Sequence, residues 1–224
     1  MLHKLSGTDI FRFFDLGDPL RKFVAGHLYK YKRMFDTLFF HIAAKISLPD
    51  PEKETIKTFF TQRKFKRKQF LLQEGETCRQ LSFISKGLIK SYNVDDNGED
   101  HINLFGWEGW WVSDFYSFLS ATPGQLNIEA IEDTEVLQIT LADYEAMLIK
   151  VPVMERYFRI LYQNSIVTKE RRLMSSITHT AEEKYRHLLQ HHPELIQRIP
   201  QTLIASYLGL APETISRIKR NKTP

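Results

Sequence analysis

Apolar positions repeat with different spacings along this chain, and each spacing predicts a different element. Phe35 to Ile46 reads as a helix, stopped by Ser47-Leu48-Pro49-Asp50-Pro51, and Glu52 to Phe60 reads as a second short one. From Arg63 the pattern becomes short strands between turns: Gln69–Gln73, Gln80–Ile84, Leu88–Val94, His101–Phe105, Leu126–Ile131 and Glu135–Thr140. Asn97-Gly98 between two extended runs is a hairpin signal, and strands this short and this closely spaced predict a sandwich or barrel. Helical spacing returns at Leu141 to Lys150. After Pro152, Val153, Ile160, Val167 and Met174 recur every seven residues, as in a coiled-coil seam, although Tyr157, Asn164 and Arg171 interrupt it. The seam reads as a dimer contact; a helix lying on the strand region would show the same pattern.

The end of the chain, Gln201 to Arg220, has the spacing of a helix-turn-helix. Ile204 and Leu208 share one helical face, Ile215 and Ile218 share another, and Gly209 stands where the first helix must stop and turn. Ala205 leaves room for a close crossing, and Pro212 suits a first helical position because its missing N–H is unpaired there anyway. Ala211 falls at the N-cap, where Ser, Thr, Asp or Asn is usual. Glu213, Ser216, Arg217 and Arg220 project away from the Ile215/Ile218 face. Arginine suits guanine edges and glutamate can accept from cytosine N4, so Glu213, Arg217 and Ser216 are the expected base readers. Lys219, Arg220 and Lys222 are the expected phosphate contacts.

Composition narrows the alternatives. The 224 residues leave room for one large or two modest domains. The net charge of +4 does not make the whole molecule a polycation, but basic residues cluster in Arg63–Lys68 and in Lys30-Tyr31-Lys32-Arg33. Such runs read as solvated edges or loops. The single Cys78 leaves no internal disulfide, no cysteine-held iron–sulfur cluster and no multi-cysteine zinc site. His179, His187 and the His191-His192 pair do not form a ligand set, so neither a metal nor a cofactor is expected. No run approaches the ~18 apolar residues of a membrane span, and a mean hydropathy of −0.33 fits a cytoplasmic protein. No nucleophile–base or paired-carboxylate constellation stands out, so an enzyme is not expected.

Helix, strand domain, long helix and helix-turn-helix, in that order, give a chain that resembles the Crp/Fnr superfamily of bacterial transcription regulators from about Phe35 to Arg220. The residues that carry the resemblance are Glu74-Gly75-Glu76, Ile84-Ser85-Lys86-Gly87 in the place of the family's I-x-x-G turn, Asp96-Asn97-Gly98-Glu99 in its hairpin, and the C-terminal motif. The resemblance implies an α+β fold with an antiparallel, jelly-roll-like β-roll over residues 34–150, of the cyclic-nucleotide-binding kind and acting as sensor. A dimerisation helix over 151–177 and a winged helix-turn-helix DNA-binding domain over 178–224 complete it. Residues 1–33 have no counterpart in the resemblance and read as a dispensable extension or translated upstream sequence.

The partners implied are double-stranded DNA, a second copy of the chain, RNA polymerase and a small-molecule effector, with no membrane. Cyclic-nucleotide-binding members carry a Gly-Glu-Leu turn and an Arg-Ser pair, whereas here the corresponding stretches are Gly109–Phe115 and Pro123–Asn127, and no arginine lies between Arg79 and Arg156. A buried phosphate without a cation would be costly. The effector pocket is therefore expected to be altered, not to take cyclic AMP, and to be lined by Trp107, Trp110, Trp111, Ser113 and Phe115; these residues would equally serve to fill the roll. A β-roll module that regulates through protein contacts, without DNA, is the alternative.

Overall fold

The computed structural model describes residues 33–220. A helix over residues 33–43 (α1) and α2 (Asp50–Lys57) lead into eight antiparallel strands: β1 (Thr61–Phe65), β2 (Phe70–Leu72), β3 (Leu81–Lys86), β4 (Ile89–Val94), β5 (Asp100–Gly106), β6 (Trp111–Val112), β7 (Asn127–Ala130) and β8 (Thr134–Ile139). A short α3 (Phe115–Ser120) interrupts them between β6 and β7. The strands form two four-stranded sheets, ordered β1-β8-β3-β6 and β2-β7-β4-β5. There follow α4 (Leu141–Lys150), the 26-residue α5 (Val153–Thr178), α6 (Ala181–His191), α7 (Pro193–Arg198), α8 (Gln201–Leu208) and α9 (Pro212–Arg220). The expected α+β architecture of β-roll, long helix and helix-turn-helix is what the chain adopts. β1, β6, α3, α6 and α7 are additions to the elements read from the sequence.

Local chemistry explains the turns. Gly87, with φ +107, closes the β3–β4 turn, and a Cβ there would lie 2.7 Å from the Thr134 Cα, so the backbone approach admits only glycine. In the β4–β5 hairpin the Asp95 carboxylate accepts the Asn97 and Glu99 N–H groups, each at 2.9 Å, and meets His101 Nε2 at 2.9 Å. The His101 contact and these N–H groups pull its carboxyl down to about 2. The basic Arg63–Lys68 run is a solvated edge: β1 borders its sheet, and Lys66 pairs with Asp133 at 2.7 Å.

Two apolar cores share the work. The first fills the roll and extends onto its outer face, joining Phe83, Leu81 and Leu137 to Leu38 and Ile42 of α1 and to Met154, Tyr157 and Phe158 of α5. β3 is buried on both faces for this reason. Phe83 lies 5.8 Å from the His41 ring and 5.2 Å from Trp111, while its neighbour Ser82 accepts a hydrogen bond from Gln138 Nε2. At this joint the buried Tyr157 hydroxyl stands 2.7 Å from His41 Nδ1 and accepts from Trp111 Nε1 at 2.9 Å. Desolvation, aided by Lys45, lowers His41 to about 4, so it is neutral at ordinary pH.

The second core joins Leu88, Tyr92, Ile102 and Phe105 of the roll to Tyr185, Leu195, Ile199, Ile204, Ala205, Ile215 and Ile218 of the C-terminal helices. The helix-turn-helix is thus packed on the roll rather than standing apart from it.

Candidate nucleic-acid interface and effector cavity

Residues 180–220 build a platform for α9. Thr180 and Glu183 form a capping box that starts α6, which brings Tyr185 into the second core. α8 ends as expected at Gly209, which adopts φ +66; the Leu210 N–H donates to the Ala205 carbonyl at 2.9 Å and the Gly209 N–H to that of Ser206 at 3.0 Å. These two bonds are a Schellman ending, and they direct the chain into α9. The Ala211 carbonyl accepts the Thr214 N–H at 3.0 Å, as an N-cap residue's does. Ile215 and Ile218 are buried against Ile204 and Ala205, which fixes the rotation of α9 about its axis.

That rotation turns Glu213, Ser216, Arg217, Lys219 and Arg220 to the outside, where all five are exposed. Two of them are already engaged. Gln201 Nε2 donates to Ser216 Oγ at 2.7 Å, and Lys219 Nζ donates to Gln201 Oε1 at 3.0 Å. Gln201 therefore ties the start of α8 to the outer face of α9, a bond that the sequence reading did not anticipate. Lys222 lies outside the described residues, as do residues 1–32 of the expected extension.

A cavity of about 450 Å³ opens within the roll, lined by Leu71, Leu72, Cys78, Ser82, Val112, Ile128 and Gln138, with Glu76, Thr77, Arg79 and Gln80. None of Trp107, Trp110, Trp111, Ser113 and Phe115, the expected lining, is among the residues around this cavity. The Trp107 ring lies tilted against Trp110, with centroids 4.3 Å apart, and meets His192 at 5.2 Å. Trp111 is part of the first core, 5.2 Å from the Phe158 ring, and Phe115 meets Tyr162 at 5.8 Å. Ser113 Oγ donates to the Gln80 carbonyl at 3.3 Å. The stretch is not one strand: Trp107 and Trp110 stand in the turn between β5 and β6, Trp111 in β6 and Phe115 at the start of α3, so its aromatic residues are divided among several environments.

The turn before α3 is closed by the chain's own acid. The buried Asp114 carboxylate accepts the Ser117 N–H at 3.1 Å and the Gln125 N–H at 3.0 Å. Arg79, just outside the arginine-free stretch, is the cation among the cavity residues, and Glu76 stands among them too.

Of the expected seam, Val153 and Ile160 pack against the roll core, whereas Val167 and Met174 are exposed. Ile166, Leu173 and Ile177, which the heptad count passed over, are exposed as well, at 57%, 62% and 73%. Among the described residues no group of three or more His, Cys, Asp or Glu side chains is placed to hold a metal ion, and no helix is long and apolar enough to cross a membrane.

Comparison with known proteins agrees with this architecture. The cyclic nucleotide-binding domain family matches residues 62–150. The regulatory protein HlyX of Actinobacillus pleuropneumoniae is 26% identical over 68% of this chain and 67% of its own length. The transcriptional activator Anr of Pseudomonas protegens is 22% identical over 70% and 68%. Among solved structures, FixK2 from Bradyrhizobium japonicum superposes with a TM-score of 0.63 at 20% identity, covering 72% of this chain and 83% of that one. A β-roll followed by a long helix and a helix-turn-helix is the architecture these proteins share, and the matches together support a transcription regulator of the Crp/Fnr type.

Proposed function

We propose that this protein is a homodimeric, sequence-specific DNA-binding regulator that acts in the cytoplasm by binding rather than catalysis. Its parts are a sensor roll over 34–150, a dimerisation helix over 151–177 and a DNA-binding domain over 178–224. One observation carries the reading: α9 is held by buried Ile215 and Ile218 while Glu213, Arg217 and Arg220 stand exposed on its other side. Glu213 and Arg217 read base edges in the major groove, with Ser216 presented beside them on Gln201. Lys219, Arg220 and Lys222 hold phosphates. A second copy packs along the exposed apolar residues of α5, which places two recognition helices about 34 Å apart on a two-fold symmetric site.

The effector, if the roll takes one, is not a cyclic nucleotide. A phosphate at the α3 turn would meet the Asp114 carboxylate, which already holds the two N–H groups there. The family's other partner, RNA polymerase, would be met by the DNA-bound dimer.

Selection from a random duplex library tests the proposal. Wild type should enrich a palindrome. Arg217→Ala should cost about 1–3 kcal/mol at one base pair of each half-site and flatten preference there. Enrichment of no palindrome by wild type would favour a protein-binding module instead, and an unchanged preference in Arg217→Ala would remove that residue from the reading role.

A further inference from the structure

The helix-turn-helix is fastened to the roll by polar contacts as well as by the shared core. β5 borders its sheet, so its outer N–H and C=O groups lack a neighbouring strand. Side chains take that place. Ser206 of α8 accepts the Ile102 N–H at 3.1 Å and donates to the Asp100 carbonyl at 2.5 Å. Arg172 of α5 donates to the Ile102 carbonyl at 3.1 Å, to the Asn103 carbonyl, and to the Tyr207 carbonyl of α8 at 3.1 Å, with its guanidinium 4.1 Å from the Tyr207 ring. One side chain thereby joins the long helix, the sheet edge and the first helix of the motif.

A second fastening lies at the other end of α8. Arg198, the last residue of α7, sits between two roll carboxylates. Its Nη1 and Nη2 reach the two Glu108 oxygens at 3.0 and 3.2 Å, and its Nη2 also reaches Glu132. Glu108 is itself anchored, accepting the Gly87 N–H at 2.8 Å. Bidentate guanidinium–carboxylate pairing fixes direction as well as distance. The docked surface is the α8 side of the motif, so Glu213, Arg217 and Arg220 stay exposed. The contact therefore orients the reading face without covering it.

We propose that Arg198 is a positioning residue for DNA recognition: clamped by Glu108 and Glu132, it holds each recognition helix in one pose on its own roll and so pre-organises the dimer for two half-sites at once. This rests on the DNA-reading function above. A fixed pose matters only where both helices must land together, since a single half-site can be met by a domain in any orientation.

The test compares full-length wild type, Arg198→Ala and the double variant Glu108→Gln/Glu132→Gln on the selected palindrome and on a duplex holding one half-site. Both variants should lose on the order of tenfold on the palindrome and little on the half-site, the pattern of lost pre-organisation. If Arg198 instead served a phosphate, Arg198→Ala would weaken both duplexes alike while the double variant, freeing the arginine, would strengthen both. If the clamp restrained binding, both variants would bind the palindrome more tightly. Either result overturns the proposal. Hydrogen exchange of the free protein supplies a reading without DNA: the Ile102 amide, which crosses the docked surface, should exchange faster in both variants while the Phe83 amide stays protected. Should wild type enrich no palindrome, the DNA-reading function fails, and exchange at Ile102 alone decides whether Arg198 holds the domains together. Unchanged Ile102 exchange in both variants overturns that role.

Discussion

The two halves of α5 are one helix made for different surroundings. Met154, Tyr157 and Phe158 in the first half are buried in the roll core, and Val153, Ile160 and Leu161 pack against it. Beyond Leu161 no residue of the helix is buried; Ile166, Leu173, Met174 and Ile177 are exposed, and on another side Arg172 fastens the sheet edge. Helix propensity alone gives marginal stability, so a helix this long relies on what covers its apolar side. The first half is covered by its own chain, and the proposed second copy covers the other half. Substitutions in the first half should therefore be read in folding, and those in the second in assembly.

The largest effect is expected at Tyr157. Tyr157→Ala removes a fully buried ring and leaves the Trp111 indole N–H and His41 without their shared partner. It should cost roughly 4 kcal/mol of folding free energy in urea denaturation. A loss below about 1 kcal/mol would show that this half is not welded to the roll.

Leu173→Glu should do the reverse, leaving the urea midpoint of the roll near that of wild type while weakening the dimer roughly 100-fold, the scale set by moving a charge into an apolar seam. Sedimentation across a dilution series measures it. An unweakened dimer would remove Leu173 from the interface.

Acid should weaken the joint at the first half more gently. His41 is held near 4 in the fold against an ordinary 6.5, so between those values the unfolded chain binds a proton that the folded chain does not. Stability from this group is present above about pH 6.5 and falls as pH drops toward 4. The thermal midpoint of wild type should decline more steeply across that window than that of His41→Gln, and parallel declines would contradict the assignment.

The smallest effect is expected far from the comparison, in the motif. Ala211→Ser offers α9 a side-chain acceptor at its N-cap and should add about 1 kcal/mol. A lowered midpoint would mean that Ala211 is not the cap.

What the sequence disclosed follows from the range of the interactions involved. Gly209, the Ile215/Ile218 pair and the Asn97-Gly98 hairpin were legible because each depends on residues a few positions apart. The cavity was not. Ser82 and Gln138 are brought together by antiparallel pairing of β3 with β8, and no local pattern announces that register. The aromatic stretch is divided by contacts of the same long range, Trp107 meeting His192 and Trp111 meeting Phe158. β6 and α3 are too short for a period to show. The fastenings by Arg172 and Arg198 were illegible because the groups they bind are sheet-edge carbonyls and distant carboxylates. The I-x-x-G glycine was found through resemblance, and the close approach of Thr134 gives its physical reason.

The most direct measurement of the account is the mass of the free, full-length chain in solution. Sedimentation equilibrium should give twice the 26.4 kDa of one chain, and Leu173→Glu at the same concentration should give 26.4 kDa. A wild-type chain that remains at 26.4 kDa at micromolar concentration and above would contradict it, because the exposed apolar face of the second half of α5 would then have no second copy to cover it.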